Sequence, residues 1–274
     1  MTGHRGAVRA LAFDSSGRLV SGGEDSQVLF WVEGQLVESW PFQACISALG
    51  VEDHWLGIAL LNGQVELRRA GELVWSLPAG SPVRSLALSS SWLALGLDDG
   101  RVRLVALSDL REQPGFRLDG HVTGLTFMRD GALAASSPLH QGIELWRLSE
   151  REACGHLRLG RRRCLAARPE GGLLAGGEHD VLAWPDGPVH LPGSPALAMS
   201  VAGEWLAVGC VNADLRLFHR PTGRLLLGEG HRGEILSTAI RDGLIASGSM
   251  DTTIRLWTRA DFREPGPAEG AKAT

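Results

Sequence analysis

Tyrosine is absent from the 274 residues, and lysine occurs once, at Lys272, so arginine carries nearly all the positive charge. The formal net charge of −4 is mild and gives no global attraction to nucleic acid. Four cysteines (Cys45, Cys154, Cys164 and Cys210) lie far apart and form no C-x-x-C pair. They read as small buried hydrophobes of a reducing compartment. No apolar run approaches the roughly 18 residues that a membrane helix needs. The opening Met-Thr-Gly-His-Arg-Gly lacks the charged and then apolar plan of a secretory signal. A cytoplasmic protein with no membrane contact and no cofactor is the expectation.

What is present is a repeat. Residues 3–31 and 230–257 both open with Gly-His-Arg-Gly and continue with an alternating apolar run and a turn. Each then has a run ending in Ser-Gly, an Asp, and a strand closing on Trp. A third copy runs from Gly120-His121 to Trp146. Weaker copies place the closing position at Trp31, Arg68, Val105, Trp146, Trp184, Phe218 and Trp257. Runs such as Val8–Phe13, Leu19–Gly22 and Val28–Val32 are strand-length and separated by turn formers. A fourth run follows the closing residue, as in Gln35–Trp40, Glu72–Leu77 and Arg224–Leu227. No window sustains a helical apolar face. Four short strands in each of seven units predict an all-β, seven-bladed β-propeller of four-stranded antiparallel blades. The expected domain spans 1–263, with a disordered tail over 264–274.

The Gly-His, Ser, Asp and Trp positions resemble those of the WD-repeat family. That resemblance implies a hydrogen-bonded tetrad in each well-formed blade: His4, Ser21, Asp25 and Trp31 in blade 1, and His231, Ser247, Asp251 and Trp257 in blade 7. Such a chain leaves no buried polar group unpaired, which otherwise costs about 1–3 kcal/mol. Blade 4 keeps His121, Ser136 and Trp146 but has His140 where the Asp belongs. Blade 3 retains only Asp99, blades 2 and 6 have Asn62 and Asn212 there, and blade 5 has Trp184 with a shortened turn near 178–180. A Ser, His and Asp together also suggest a nucleophilic triad. Their recurrence in two blades, each time tied to a Trp and without G-x-S-x-G, favours the structural role, and no catalytic residue is assigned.

Other constellations are weaker. Cys154-Gly-His156 with Cys164 fits no common zinc spacing and lacks a fourth ligand, so no metal site is expected. Glycine pairs such as Gly22-Gly23 do not lead into a helix, and close backbone packing explains them better than a phosphate cradle. Arg161-Arg162-Arg163 is the one basic run, either a solvated loop or a contact for an acidic partner or nucleic acid.

The resemblance further implies partner binding on the top face, from two positions near the start of each inner strand and one before each turn Asp. Blades 6 and 7 thereby contribute Leu197, Val211, Leu236 and Met250, with Glu234 beside them. Arg9, Glu24, Arg84 and Asp98 supply a polar rim. The apolar four either meet a partner or turn into the central channel and meet each other. Ring closure is a second candidate, because the N-terminus is expected to have no spare residues to donate and Pro265 and Pro267 interrupt the C-terminal stretch. Blade 7 is therefore expected either to lack a regular outer strand, leaving its third strand open to a partner, or to use Ala260–Arg263 as a short irregular one. The functional expectation is a non-catalytic scaffold that binds a protein or peptide, of unspecified oligomeric state. The rivals are a propeller enzyme of hydrolase or lactonase type at the channel, and nucleic-acid binding through Arg161–Arg163.

Overall fold

The computed structural model describes residues 1–140, 142–177, 181–184, 187–189 and 194–266. Blade 1 consists of β1 (Val8–Phe13), β2 (Leu19–Gly23), β3 (Gln27–Val32) and β4 (Gln35–Pro41). Blade 2 follows with β5 (Ile46–Glu52), β6 (Trp55–Leu60), β7 (Gln64–Arg69) and β8 (Glu72–Pro78). Blade 3 has β9 (Val83–Leu88), β10 (Trp92–Leu97), β11 (Arg101–Ala106) and β12 (Glu112–Arg117). In blade 4 the strands are β13 (Gly124–Phe127), β14 (Ala132–Ser136), β15 (Ile143–Arg147) and β16 (Glu152–Leu157). Blade 5 contains β17 (Cys164–Ala167), β18 (Leu173–Gly176), β19 (Val181–Trp184) and β20 (Gly187–Val189). Blade 6 contains β21 (Ala196–Ala202), β22 (Trp205–Cys210), β23 (Leu215–His219) and β24 (Arg224–Gly228). The last sheet has β25 (Ile235–Arg241), β26 (Leu244–Ser249) and β27 (Ile254–Trp257). Among the described residues the chain thus forms six four-stranded antiparallel blades and one three-stranded sheet.

The first strands β1, β5, β9, β13, β17, β21 and β25 pack each on the next, and β25 returns to β1. This makes a closed propeller. In blade 1 burial falls from the middle of the blade to its rim: every residue of β2 is buried, whereas nearly all of β4 is exposed. The core lies between blades. Val20 and Phe30 of blade 1 pack on Ile46 and Ile58 of blade 2, and Val8 and Trp31 pack on Ala246 and Ile254 across the closing seam. Each such buried side chain contributes roughly 1.5–3 kcal/mol.

Two local devices set this geometry. Two-residue hairpins at Glu33-Gly34, Ala70-Gly71 and Asp242-Gly243 have both residues at positive φ, the backbone whose twist suits antiparallel strands. Glycines on the second strands let the next blade approach. A Cβ on Gly22 would strike Ile46, one on Gly209 Ile235, and one on Gly248 Val8. The close-packing reading of Gly22 is the one the contacts support.

Of the two alternatives read in the sequence, the first holds in part: among the described residues the last sheet has no regular outer strand, but the edge of its third strand is partly taken up by the chain's own N-terminus. After β27 the chain makes a 3-10 turn (Arg259–Asp261) and crosses to blade 6, where Arg263 and Leu227 of β24 exchange main-chain hydrogen bonds of 3.0 and 2.8 Å. Arg263 therefore adds a single bridge to the edge of blade 6, and residues 260–263 do not form an outer strand of blade 7. Phe262 packs on Trp257 (5.7 Å between ring centroids) and against Gly228, an apolar contact that draws the segment inward. At the other end, the Met1 amino group donates to Ile254 O (2.6 Å) and the Ile254 N–H donates to Met1 O (3.1 Å). The expectation that the N-terminus donates nothing is corrected by one residue, because the lead-in to β1 passes along the β27 edge. Of the stretch expected to be disordered, Glu264 pairs with Arg224 at 2.8 Å, while 267–274 lie outside the described residues.

Candidate functional site

The two repeated blades assemble the same four side chains with the same dimensions. In blade 1 the Trp31 indole donates to Ser21 Oγ (2.8 Å), and Ser21 Oγ lies 2.8 Å from His4 Nε2. His4 Nδ1 lies 2.9 Å from Asp25 Oδ2. In blade 7 the Trp257–Ser247, Ser247–His231 and His231–Asp251 separations are 2.8, 2.8 and 2.9 Å. With the indole donating to the hydroxyl, the imidazole Nε2 at 2.8 Å is the nearest acceptor for the hydroxyl proton, nearer in blade 1 than Leu29 O at 3.4 Å. Each histidine then carries its proton on Nδ1 and donates it to the carboxylate. The serines are fully buried, so neither is an exposed nucleophile.

Electrostatics agree with that proton order. Burial lowers the His231 pKa, keeping the imidazole neutral. Burial works against the charge on Asp251, but hydrogen bonds from the Thr253 hydroxyl, the Arg232 N–H and His231 outweigh it and hold the carboxyl well below its usual range. The remaining buried thiols are inert: burial raises Cys164 to about 12 and Cys210 to about 11.

Blade 4 does not assemble its remnants. Ser136 Oγ and Trp146 Nε1 are buried without a hydrogen-bond partner, and the Trp146 ring instead stacks on Phe116 at 4.5 Å. His140 bonds Glu144 (3.1 Å) rather than serving as a turn acceptor. Asp99, Asn62 and Asn212 each accept from a backbone N–H two residues on, at 3.1, 3.0 and 3.4 Å, and so close their turns locally. The blade 5 turn over 178–180 lies outside the described residues.

The sequence of blades 1 and 7 matches the family described as WD domain, G-beta repeat, over residues 1–32 and 223–258. The chain is a β-propeller that carries WD repeats at its two ends. No curated protein sequence matches it. Among solved structures, the computationally designed Ika8 protein is similar with a TM-score of 0.72 at 18% identity, over 93% of this chain and 97% of that one. A likeness at that identity speaks for the fold and not for a partner. WD-repeat propellers generally act as protein-interaction scaffolds, and no helix among the described residues is long and apolar enough to cross a membrane.

On the top face of the propeller, where the β2–β3 and β10–β11 turns lie, Arg9 donates to Glu24 at 2.7 Å and Arg84 to Asp98 at 2.7 Å. Both pairs remain over a third exposed. Arg9 and Arg84 line a cavity of about 250 Å³ at the channel mouth, and Leu236 lines it with them. Met250 is 52% exposed, while Leu197, Val211 and Glu234 are half-buried. Of the four apolar positions, Leu236 thus turns to the channel and Met250 to solvent.

Two site features were misjudged or missed in the sequence. Arg162 is buried at 7% exposure and donates to Leu159 O (2.7 Å), so the basic run presents only Arg161 and Arg163. At the lower channel mouth, Asp14, Glu52 and Asp53 line a cavity of about 550 Å³ with Arg241. Burial and then the neighbouring Asp53 raise the Glu52 pKa. These carboxylates sit at or just past the ends of inner strands, where attention to strand starts does not find them.

Proposed function

We propose that this propeller is a non-catalytic scaffold that takes a protein or peptide partner on its top face, over blades 6, 7 and 1. The observation that carries the reading is Met250, an exposed apolar side chain on the same face as the Arg9–Glu24 and Arg84–Asp98 pairs. Half-exposed ion pairs contribute only about 0–1 kcal/mol each. Their groups are therefore free to exchange partners, and an apolar anchor beside a polar rim is the usual anatomy of an interface. Capture of partners by the tagged chain and by its Leu236→Asp, Met250→Asp variant tests this. A partner retained by wild type and lost by the folded variant supports it. Equal capture by both sinks it.

The enzyme reading rests on the lower mouth, where Glu52, Asp53 and Asp14 gather and Glu52 has a raised pKa. Hydrolysis of a panel of esters and lactones, abolished by Glu52→Gln, would establish that reading in place of the scaffold. Nucleic-acid binding is the weakest of the three, because Arg162 is folded into the protein.

A further inference from the structure

His140, Glu144 and His156 meet at the top edge of blade 4. Glu144 Oε1 lies 3.1 Å from His140 Nε2 and 2.7 Å from His156 Nδ1, and the three donor atoms all fall within 4.8 Å of one another. No other such group of three occurs among the described residues. We propose that these three side chains form a divalent metal site, with Zn²⁺ as the ion.

Two imidazole nitrogens and one carboxylate oxygen form a borderline donor set that suits zinc, whereas magnesium and calcium favour oxygen alone. Donors at about 2.0–2.1 Å from a tetrahedral zinc stand about 3.3 Å from each other. The 3.1 Å separation is already near that value, and the 2.7 Å separation has only to open slightly. Only the ligating nitrogens of the two imidazoles need to approach, and their rings already meet edge to face, 5.2 Å apart at 85°.

The positions are held from two directions. Glu144 and His156 are directly opposed across β15 and β16, a register that places their side chains on one face. His140 comes from the β14–β15 turn, pinned by its own N–H to Ser137 O at 3.2 Å. Gly142 gives His156 its room, since a Cβ there would stand 2.7 Å from the ring. The present hydrogen bonds need a shared proton on each imidazole–carboxylate line. Metal binding takes the neutral tautomers protonated at His140 Nδ1 and His156 Nε2, so no net proton transfer to or from a third group is required. The ion ties the β14–β15 turn to the strand pair and leaves at least one coordination position to water. This constellation replaces the Cys154, His156 and Cys164 set weighed in the sequence: Cys154 Sγ bonds Leu145 O (3.4 Å), and Cys164 is buried in the core.

The test is titration of Zn²⁺, by calorimetry, and of Co²⁺, by its visible absorption, into tag-free chelator-treated protein. His140→Ala, Glu144→Gln and His156→Ala are run beside wild type. None of the three side chains is buried in the core, and unchanged metal-free thermal melts establish that the variants fold. One equivalent should bind wild type, raise its Tm and give a tetrahedral cobalt spectrum. Each variant should weaken binding by at least about tenfold, a loss typical even of residues that only support a ligand. Wild-type affinity in any of the three variants, or no saturable binding by wild type, would overturn the proposal.

Discussion

The Ser237 hydroxyl donates to the Val8 carbonyl at 3.2 Å, bridging residues 229 positions apart. It joins the inner strand of the last blade to that of the first. Ser85 does the same for Val122 between blades 3 and 4, at 2.8 Å. The closing seam is thus built like an interior seam, and the ring is shut at its inner strands even though its last sheet has three. Ser237→Ala and Ser85→Ala should therefore each lower stability by about 1 kcal/mol, the usual net worth of one hydrogen bond. Denaturant unfolding that shows a several-fold larger loss for Ser237→Ala would mean that the seam is a special weak point.

The tetrads predict an asymmetry between blades. Ser247→Ala removes the group that links a buried indole N–H to a buried imidazole, which leaves both unpaired and should cost about 2–3 kcal/mol. Ser136→Ala in blade 4 removes a hydroxyl without a partner and should cost well under about 1 kcal/mol by the same reasoning. Equal losses in denaturant melts would contradict the assembled and unassembled states described for these blades.

Acid should destabilise the protein in two stages. The His231 pKa is lowered on folding, so the unfolded chain takes up the proton first, and stability falls as pH drops below about 6.5 toward the folded value. The Asp251 pKa is lowered as well, so its contribution is complete above about pH 4 and is lost as pH falls through the folded value. Both slopes have the same sign. Thermal melts from pH 7 to 3 should show both for wild type, and a His231→Asn variant should lose the first. A flat profile between pH 6.5 and 5 would contradict the neutral buried imidazole.

Ala70 occupies the first central position of its hairpin at φ +50°, a region costly for alanine and free for glycine. Its N–H donates to His54 O (2.9 Å), a bond that glycine keeps. Ala70→Gly should raise stability by up to about 1 kcal/mol despite the entropy of a freer unfolded chain. A lower Tm would show that the strain is relieved elsewhere.

Much of this was legible in the sequence. The Trp and Gly-His spacing located the blades, and the residues of both tetrads could be named before any contact was seen. What escaped depended on register and on edges. Glu144 and His156 come together only through the β15–β16 pairing, so His156 read more naturally with its sequence neighbours Cys154 and Cys164. Nothing local in 259–263 says that Phe262 will find Trp257 and carry Arg263 to the outer strand of blade 6. Arg162 looked like part of a solvated run because sequence does not tell which of three consecutive arginines folds inward.

Hydrogen exchange on the chain bound to its captured partner tests the scaffold reading most directly. The account predicts protection at the β2–β3 and β26–β27 turns, near Glu24 and Met250, and at the start of β25 beside Leu236. Protection confined to the lower mouth around Glu52 and Asp53, or to the Arg161–Arg163 loop, with the top face exchanging as in the free protein, would contradict it.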